Sequence, residues 1–361
     1  MTGLPRAAAR LAGDRLALAA LGLLLLVTLA CLIGPFLTGR APDRIYPDLV
    51  RTPPGLAGHP RPEAIHPVLE RLAIRMRVTL EAVSQEAGSV RLTLTAERAI
   101  DPRVLAYLPR SDLFGEAAIL ERAPDGRRLV VEAPVRRLHF LLGTDTLGRD
   151  LLTRSLVAGQ VSLLIGLVAT LAALLIGTVY GAVSGYAGGG VDAAMMRFVD
   201  ILYALPFVFF VIVLVVFFRA SLALILFAIA AVEWLDIARI VRTQTLSLRE
   251  RDFVRAAEAL GLSGAAILRR HIVPNTLGPV IAAATLLVPR VILLESFLSF
   301  LGLGVQEPAT SWGALIAEGV RTLEATPWML AGPAAFLVAT LVALNLLGDA
   351  LGDALDPRAR R

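Results

Sequence analysis

The 361-residue sequence contains no lysine: all 35 of its basic residues are arginine. A Walker A loop needs a lysine to reach nucleotide phosphates, and Schiff-base or pyridoxal chemistry needs a lysine amine, so both are excluded. Cysteine is nearly missing as well. With Cys31 alone, neither an intramolecular disulfide nor a cysteine-based structural zinc site can form. Aromatics make up 6% of the chain, and the arginines behind its net charge of +5 are scattered rather than striped, which argues against a nucleic-acid surface. Charged residues are only 18% of the total against 56% hydrophobic, and the mean hydropathy is +0.71. That balance belongs to a membrane protein.

A helix needs roughly 20 apolar residues to cross about 30 Å of hydrocarbon. Residues 16–39, 155–191, 201–218, 276–289 and 325–348 contain no Asp, Glu or Arg. The second run ends in Gly188-Gly189-Gly190, and the run from 276 is expected to continue past Arg290 to about Phe300. A further span is predicted from Ser221 to about Val241, with Glu233 and Asp236 in its last turns near the cytoplasmic edge. The first run follows Arg6, Arg10 and Arg15 as a secretory signal would, but no A-x-A site follows it. Thr28 also stands where a lipoprotein signal wants leucine before Cys31, so a retained anchor is expected.

Arginines in short loops set orientation. The stretch between the fourth and fifth spans holds Arg242, Arg249, Arg251, Arg255, Arg269 and Arg270, and the tail holds Arg358, Arg360 and Arg361. Between Gly302 and Pro327 a single arginine, Arg321, faces Glu307, Glu318 and Glu324. Six spans with both termini cytoplasmic fit this distribution. The expected division is an N-terminal segment and first helix (1–39), an extracytoplasmic insertion (40–142), a core of five further helices (143–350) and a cytoplasmic tail (351–361). In the insertion, Pro42 to Pro67 reads as a connector without regular structure. Alternation at Leu72, Ile74, Met76, Val78 and Leu80, and again at Val90, Leu92 and Leu94, predicts strands. Pro124-Asp125-Gly126 is a turn signal before Leu129, Val131 and Ala133, so a small β-rich domain is expected.

The most informative stretch is 249–275. Phe253, Ala256, Ala257 and Leu260 share one helical face, with Arg251, Arg255 and Glu258 turned away. Gly261 suits a helix end, Ser263 an N-cap, and Leu262 can staple onto Ile267. Arg269, Arg270 and His271 favour the end of a second short helix, which Pro274 closes. The result is a compact helical knob, apolar on one side, suited either to a groove on another protein or to lying on a membrane.

Ala256-Ala257, Gly261 and His271-Ile-Val-Pro-Asn275 resemble the "EAA" loop of ABC importer permeases. Leu142-Gly-Thr-Asp-Thr-Leu-Gly-Arg-Asp150, Trp234 with Ala238-Arg239-Ile-Val-Arg242, and Leu298-Ser-Phe-Leu-Gly-Leu-Gly-Val-Gln306 look like the dipeptide/oligopeptide/nickel permease family, specifically its second permease subunit. So do Trp312-Gly313, Asn345-Leu-Leu-Gly-Asp349 and Leu355-Asp-Pro-Arg358. The resemblance covers about 140–358 and the first span, leaving 40–135 as an insertion relative to smaller members.

It implies an all-α polytopic protein of the type I ABC importer (MetI-like) fold. Its members pair with a homologous permease, are driven by two P-loop ATPases, receive solute from an extracytoplasmic binding protein, and sit in the inner membrane of a bacterium or archaeon. By the same resemblance Phe253, Ala256, Ala257, Leu260, Gly261, His271 and Pro274 form the ATPase-coupling loop, Gly261 setting the bend. The chain itself is expected to bind no cofactor, ATP and Mg belonging to the ATPases, and to catalyse nothing. Peptide is the first expectation for the solute. A rival reading, a self-sufficient ion-coupled secondary transporter, would draw on the acids Glu233, Asp236 and Glu295.

Two sites invite misreading. Asp145 and Asp150 could be taken for metal ligands, but a structural elbow is favoured: Asp145 capping an interfacial helix that carries Leu147, Leu151 and Leu152, with Arg149, Asp150 and Arg154 in the polar layer. The histidines His59, His66, His139 and His271 are too dispersed for a metal motif. Arg290, deep in the fifth span, either snorkels toward the outer headgroups or lines the translocation path and offers its charge to a substrate carboxylate.

Overall fold

The computed structural model describes residues 12–86 and 88–355. It divides into two units, Met1–Gly39 with Ser155–Thr322 and Leu330–Arg361, and Arg40–Arg154 with Leu323–Met329.

The first unit is helical. Helix α1 (Arg15–Thr38) starts where the Asp14 carboxylate accepts from the Leu16 and Ala17 N–H groups at 2.8 and 3.3 Å. Apolar all round, it exposes Leu26 and Phe36 and buries Cys31. Cys31 packs where α3 (Leu151–Ala187) carries Gly159, and a Cβ at 159 would collide with its Sγ. The thiol is there to fill space between helices.

On α3, Gly177, Gly181 and Gly185 recur every fourth residue and so share one face. They lie against α6 (Leu222–Arg249): Cβ atoms there would overlap Ile237 and the Trp234 carbonyl, the Ala238 carbonyl, and the Arg242 carbonyl with Thr245. Small residues at this spacing let helix backbones close together without a hydrophobic drive.

Between α3 and α6, α4 (Gly189–Tyr203) and α5 (Phe207–Phe218) meet at a bend of 77°. After α6 come α7 (Asp252–Ala259) and α8 (Gly264–Ile267), then a π turn over Leu268–Ile272 that runs into α9 (Val273–Phe300). Short α10 (Trp312–Val320) and long α11 (Trp328–Leu355) complete the set.

Among the described residues four helices are long and apolar enough to cross a membrane: Arg15–Thr38, Leu151–Ala187, Gly264–Phe300 and Trp328–Ala354. Counting the bent α4–α5 pair makes up to five. The expected count of six needs α6, whose Glu233, Asp236 and Arg239 make it too charged to qualify by composition.

The second unit holds a four-stranded antiparallel sheet ordered β1 (Thr79–Glu86), β2 (Ser89–Thr95), β4 (Arg128–Pro134), β3 (Ala118–Arg122). Its buried face, Val90, Leu92, Leu94, Leu129, Val131 and Ala133, packs against α2 (Pro62–Met76). The connector expected from Pro42 to Pro67 therefore gives way to helix from Pro62, and the strand expected from Leu72 begins only at Thr79. Ile65, Val68, Leu69, Leu72 and Met76 follow helical spacing. Pro62 at the first helical position lacks only an N–H that needed no partner. Arg77, in the left-handed region at φ 57°, ends the helix and throws the chain into β1.

Candidate functional site

The loop after α6 is built as two helical pieces meeting at a glycine. Gly261 has φ +76°; its N–H reaches the Glu258 carbonyl at 2.9 Å, and the Leu262 N–H reaches Ala257 at 3.1 Å. These paired bonds are the Schellman arrangement, which requires a left-handed residue at the position Gly261 fills. Ser263 then caps α8 by accepting from the Ala266 N–H at 3.4 Å. A small core of Val254, Ala257, Ile267 and Ile272, with Leu262 beside it, closes the bend.

The structure splits the face expected to dock. Ala257 points inward, while Phe253 and Leu260 stay 41% and 80% exposed and Ala256 is exposed beside them. Val254, not singled out from the sequence, does the inward packing; its spacing of three from Ala257 is the signal that could have found it. His271 lies against Phe253, ring centroids 6.4 Å apart.

Pro274 does not close the unit. The helix continues unbroken from Gly264 to Phe300, because Pro274 falls in the first turn after the π segment. Asn275 Nδ2 donates to the His271 carbonyl one turn back at 2.5 Å.

The knob is tied to the helices above it. Tyr186, near the end of α3, donates its hydroxyl to Glu258 at 3.1 Å, and its carbonyl accepts from Arg249 at 3.2 Å. Arg242 of α6 grips Asp192 of α4 with both Nε and Nη2, at 2.6 and 2.5 Å, and Ser184 of α3 donates to the same carboxylate at 2.6 Å. This fork-to-fork geometry fixes three helices about one carboxylate.

Arg290 neither reaches outward nor stands alone. Its Nη1 donates to Asp236 Oδ2 at 2.8 Å, and its Nε lies 3.6 Å from Glu233 Oε2. Along α6, which runs on to Arg249, the two acids lie roughly 17 and 21 Å from its Leu222 end at 1.5 Å per residue. The three side chains share a cavity of about 310 Å³.

Glu295 is wholly buried on α9. Ser162 donates to it at 3.1 Å and Ser299 at 2.7 Å. Ser162 also accepts the Trp312 N–H at 3.2 Å, while the Trp312 indole donates to the Ser155 carbonyl at 2.9 Å. The acid thus locks α3, α9 and α10 together.

In the second unit Asp145 forms a tight turn rather than capping an interfacial helix, accepting from the Leu147 and Arg149 N–H groups at 2.9 and 2.8 Å. Arg149 Nε, at 2.6 Å, and Arg154 Nη1 pair with it. It is Asp150 that caps α3, through the Thr153 N–H at 3.1 Å. Arg149, Asp150 and Arg154 are buried, the two arginines against Asp145, while Asp150 bonds Thr153 through one oxygen and has the other 3.6 Å from Arg40 Nη1. Among the described residues no group of three or more His, Cys, Asp or Glu could hold a metal ion.

Residues 173–361 match the family described as "Binding-protein-dependent transport system inner membrane component", and residues 5–54 match "N-terminal TM domain of oligopeptide transport permease C". The chain is 52% identical over 228 residues to the oligopeptide transport system permease protein OppC of Haemophilus influenzae, covering 63% of this chain and 73% of that one. It is 45% identical over 220 residues to the dipeptide transport system permease protein DppC of Bacillus subtilis, covering 61% and 69%. A solved structure of the MetNI methionine ABC transporter in inward-facing conformations covers 56% of this chain and 96% of its own, at 19% identity and a TM-score of 0.46.

Proposed function

This chain belongs to the family of binding-protein-dependent transport system inner membrane components, and we propose that it is the permease subunit of an ATP-driven importer of oligopeptides or dipeptides. It forms half of a translocation path whose other half is a homologous permease. An extracytoplasmic binding protein delivers the peptide, and two P-loop ATPases hold the ATP and Mg, this chain binding no cofactor and catalysing no reaction itself. It lies in a bacterial inner membrane with both termini cytoplasmic, which puts the arginine-rich loop 249–275 on the ATPase side.

One observation carries the coupling role. A helical knob presents Phe253, Ala256 and Leu260 to solvent on a chain with no lysine for a phosphate loop. Ala257 and Gly261 hold its shape, and His271 and Pro274 join it to α9. Closure of the ATPase pair around the knob would then be passed to the spans as a shift of packed helices. Arg290 belongs on this reading to the path itself.

The test is reconstitution of this chain, its partner permease, the two ATPases and the binding protein with sealed vesicles. Peptide uptake should require ATP and the binding protein and should persist when ion gradients are collapsed. Uptake driven by a proton or sodium gradient without ATP would overturn the assignment in favour of a secondary transporter.

A further inference from the structure

Glu233 and Asp236 on α6 and Arg290 on α9 face one another across a cavity of about 310 Å³, walled also by Tyr203, Phe207 and Leu294. Arg290 lies about 26 Å along α9 from Val273 and about 15 Å from Phe300 at 1.5 Å per residue, well inside the span. Its side chain is nevertheless 55% exposed and that of Asp236 29%. Charges held at that depth against lipid are costly. This face therefore looks onto water or protein.

The charge count is uneven. Arg290 is the one cation against two carboxylates, and its Nη1 is already committed to Asp236 at 2.8 Å. The nearby Arg239 is committed elsewhere, to Asp200 at 2.9 Å and over the Tyr203 ring at 4.4 Å. Glu233 is 97% buried by side-chain area, since only 3% is exposed. Its Oε2 accepts no hydrogen bond, the Arg290 Nε at 3.6 Å being too far to donate. A buried carboxylate oxygen left without a donor is costly, and beside an excess of carboxylates a donor carrying positive charge suits it best.

We propose, building on the importer reading above, that this cavity takes an ammonium group of the transported peptide, its α-amine or a lysine side chain. The ammonium completes the hydrogen bonding of Glu233, balances the second carboxylate and sits beside the Phe207 ring, a favourable neighbour for a cation. The expected partnership of Arg290 with a substrate carboxylate is thereby reversed. Arg290 holds Asp236 in place, and the acids select.

The test uses the assembled importer in vesicles at saturating binding protein, comparing maximal uptake rates of three tripeptides. One has a central lysine, the second norleucine in its place, and the third is the norleucine peptide without its α-amine. Transporter is quantified in each membrane so that rates are per inserted molecule. Glu233→Gln should slow the lysine peptide about tenfold, the size of one lost charge-assisted hydrogen bond, and spare the desamino peptide. Slowing of the norleucine peptide as well assigns the site to the α-amine, and slowing of the lysine peptide alone assigns it to the side chain. Arg290→Gln, which leaves both carboxylates, should preserve or increase the preference for ammonium-bearing peptides.

Equal slowing of all three peptides by Glu233→Gln, or loss of that preference in Arg290→Gln, would overturn the proposal and leave the cluster a tie between helices. A wild-type assembly that imports no peptide would instead overturn the importer reading itself.

Discussion

Two single residues carry much of what is distinctive here. Gly261 occupies the left-handed position of a Schellman ending, and nothing crowds it. Its requirement is conformational. Gly261→Val forces a branched Cβ into that region at a cost of about 1–2 kcal/mol, enough to reshape a knob whose core is only four buried side chains. The variant should insert at the normal level while peptide uptake falls and the ATPases cease to co-purify; Gly261→Asn, better tolerated there, should retain both. Asp145 is the second residue. It is fully buried and holds the guanidinium groups of Arg149 and Arg154. Asp145→Asn takes from these two buried guanidinium groups the carboxylate they share, and breaking a buried ion pair from one side costs about 3 kcal/mol. Thermal unfolding in detergent should show a marked fall in midpoint, and an unchanged midpoint would mean that the elbow is not a folding element.

At the scale of elements, the α3–α6 seam makes the clearest prediction. Gly181→Leu places a branched side chain where a single Cβ already meets the Ala238 carbonyl, with the Arg242 N and Val241 Cβ at 3.0 Å. Backbone cannot yield there, so membrane abundance should drop, whereas Gly278→Leu on α9, with nothing close by, should leave it unchanged. The elements differ in how legible they were. The apolar runs, the strand through Val90, Leu92 and Leu94, the turn at Asp125-Gly126 and the glycine bend at 261 follow from local pattern, because each is fixed by periodicity or by one backbone requirement.

Helix α2 was hidden for a different reason. Its last turn and the residues after it happen to alternate, and its two prolines, Pro62 at the first position and Pro67 one turn in, read as breakers. Strand β3 gave no signal, since every residue of it is exposed. The charged cluster was invisible because it joins residues about fifty apart in sequence on two helices, and only packing decides which charges meet. The inward turn of Ala257 depended likewise on a neighbour, Val254, one step round the helix.

At the scale of the molecule, the distribution of arginine is a statement about sidedness. It can be read with single cysteines in a Cys31→Ser background. Labels at the exposed positions Gly88 and Arg321 should react with an impermeant reagent from outside, and one at the exposed Ala265 only from the cytoplasm. The reverse pattern would invert the topology and remove the knob from reach of any ATPase.

The uninterrupted helix from Gly264 to Phe300 has a further implication. Its foot is the knob, and Arg290 stands about 39 Å further along it at 1.5 Å per residue. A torque applied at the foot arrives at the cavity as rotation, less whatever the π turn at Leu268–Ile272 absorbs. Free-energy coupling runs equally in both directions. On the proposed importer reading, a peptide that prefers one twist of this rod would change the ATPase's grip on its far end by the same factor by which that grip changes the hold on the peptide.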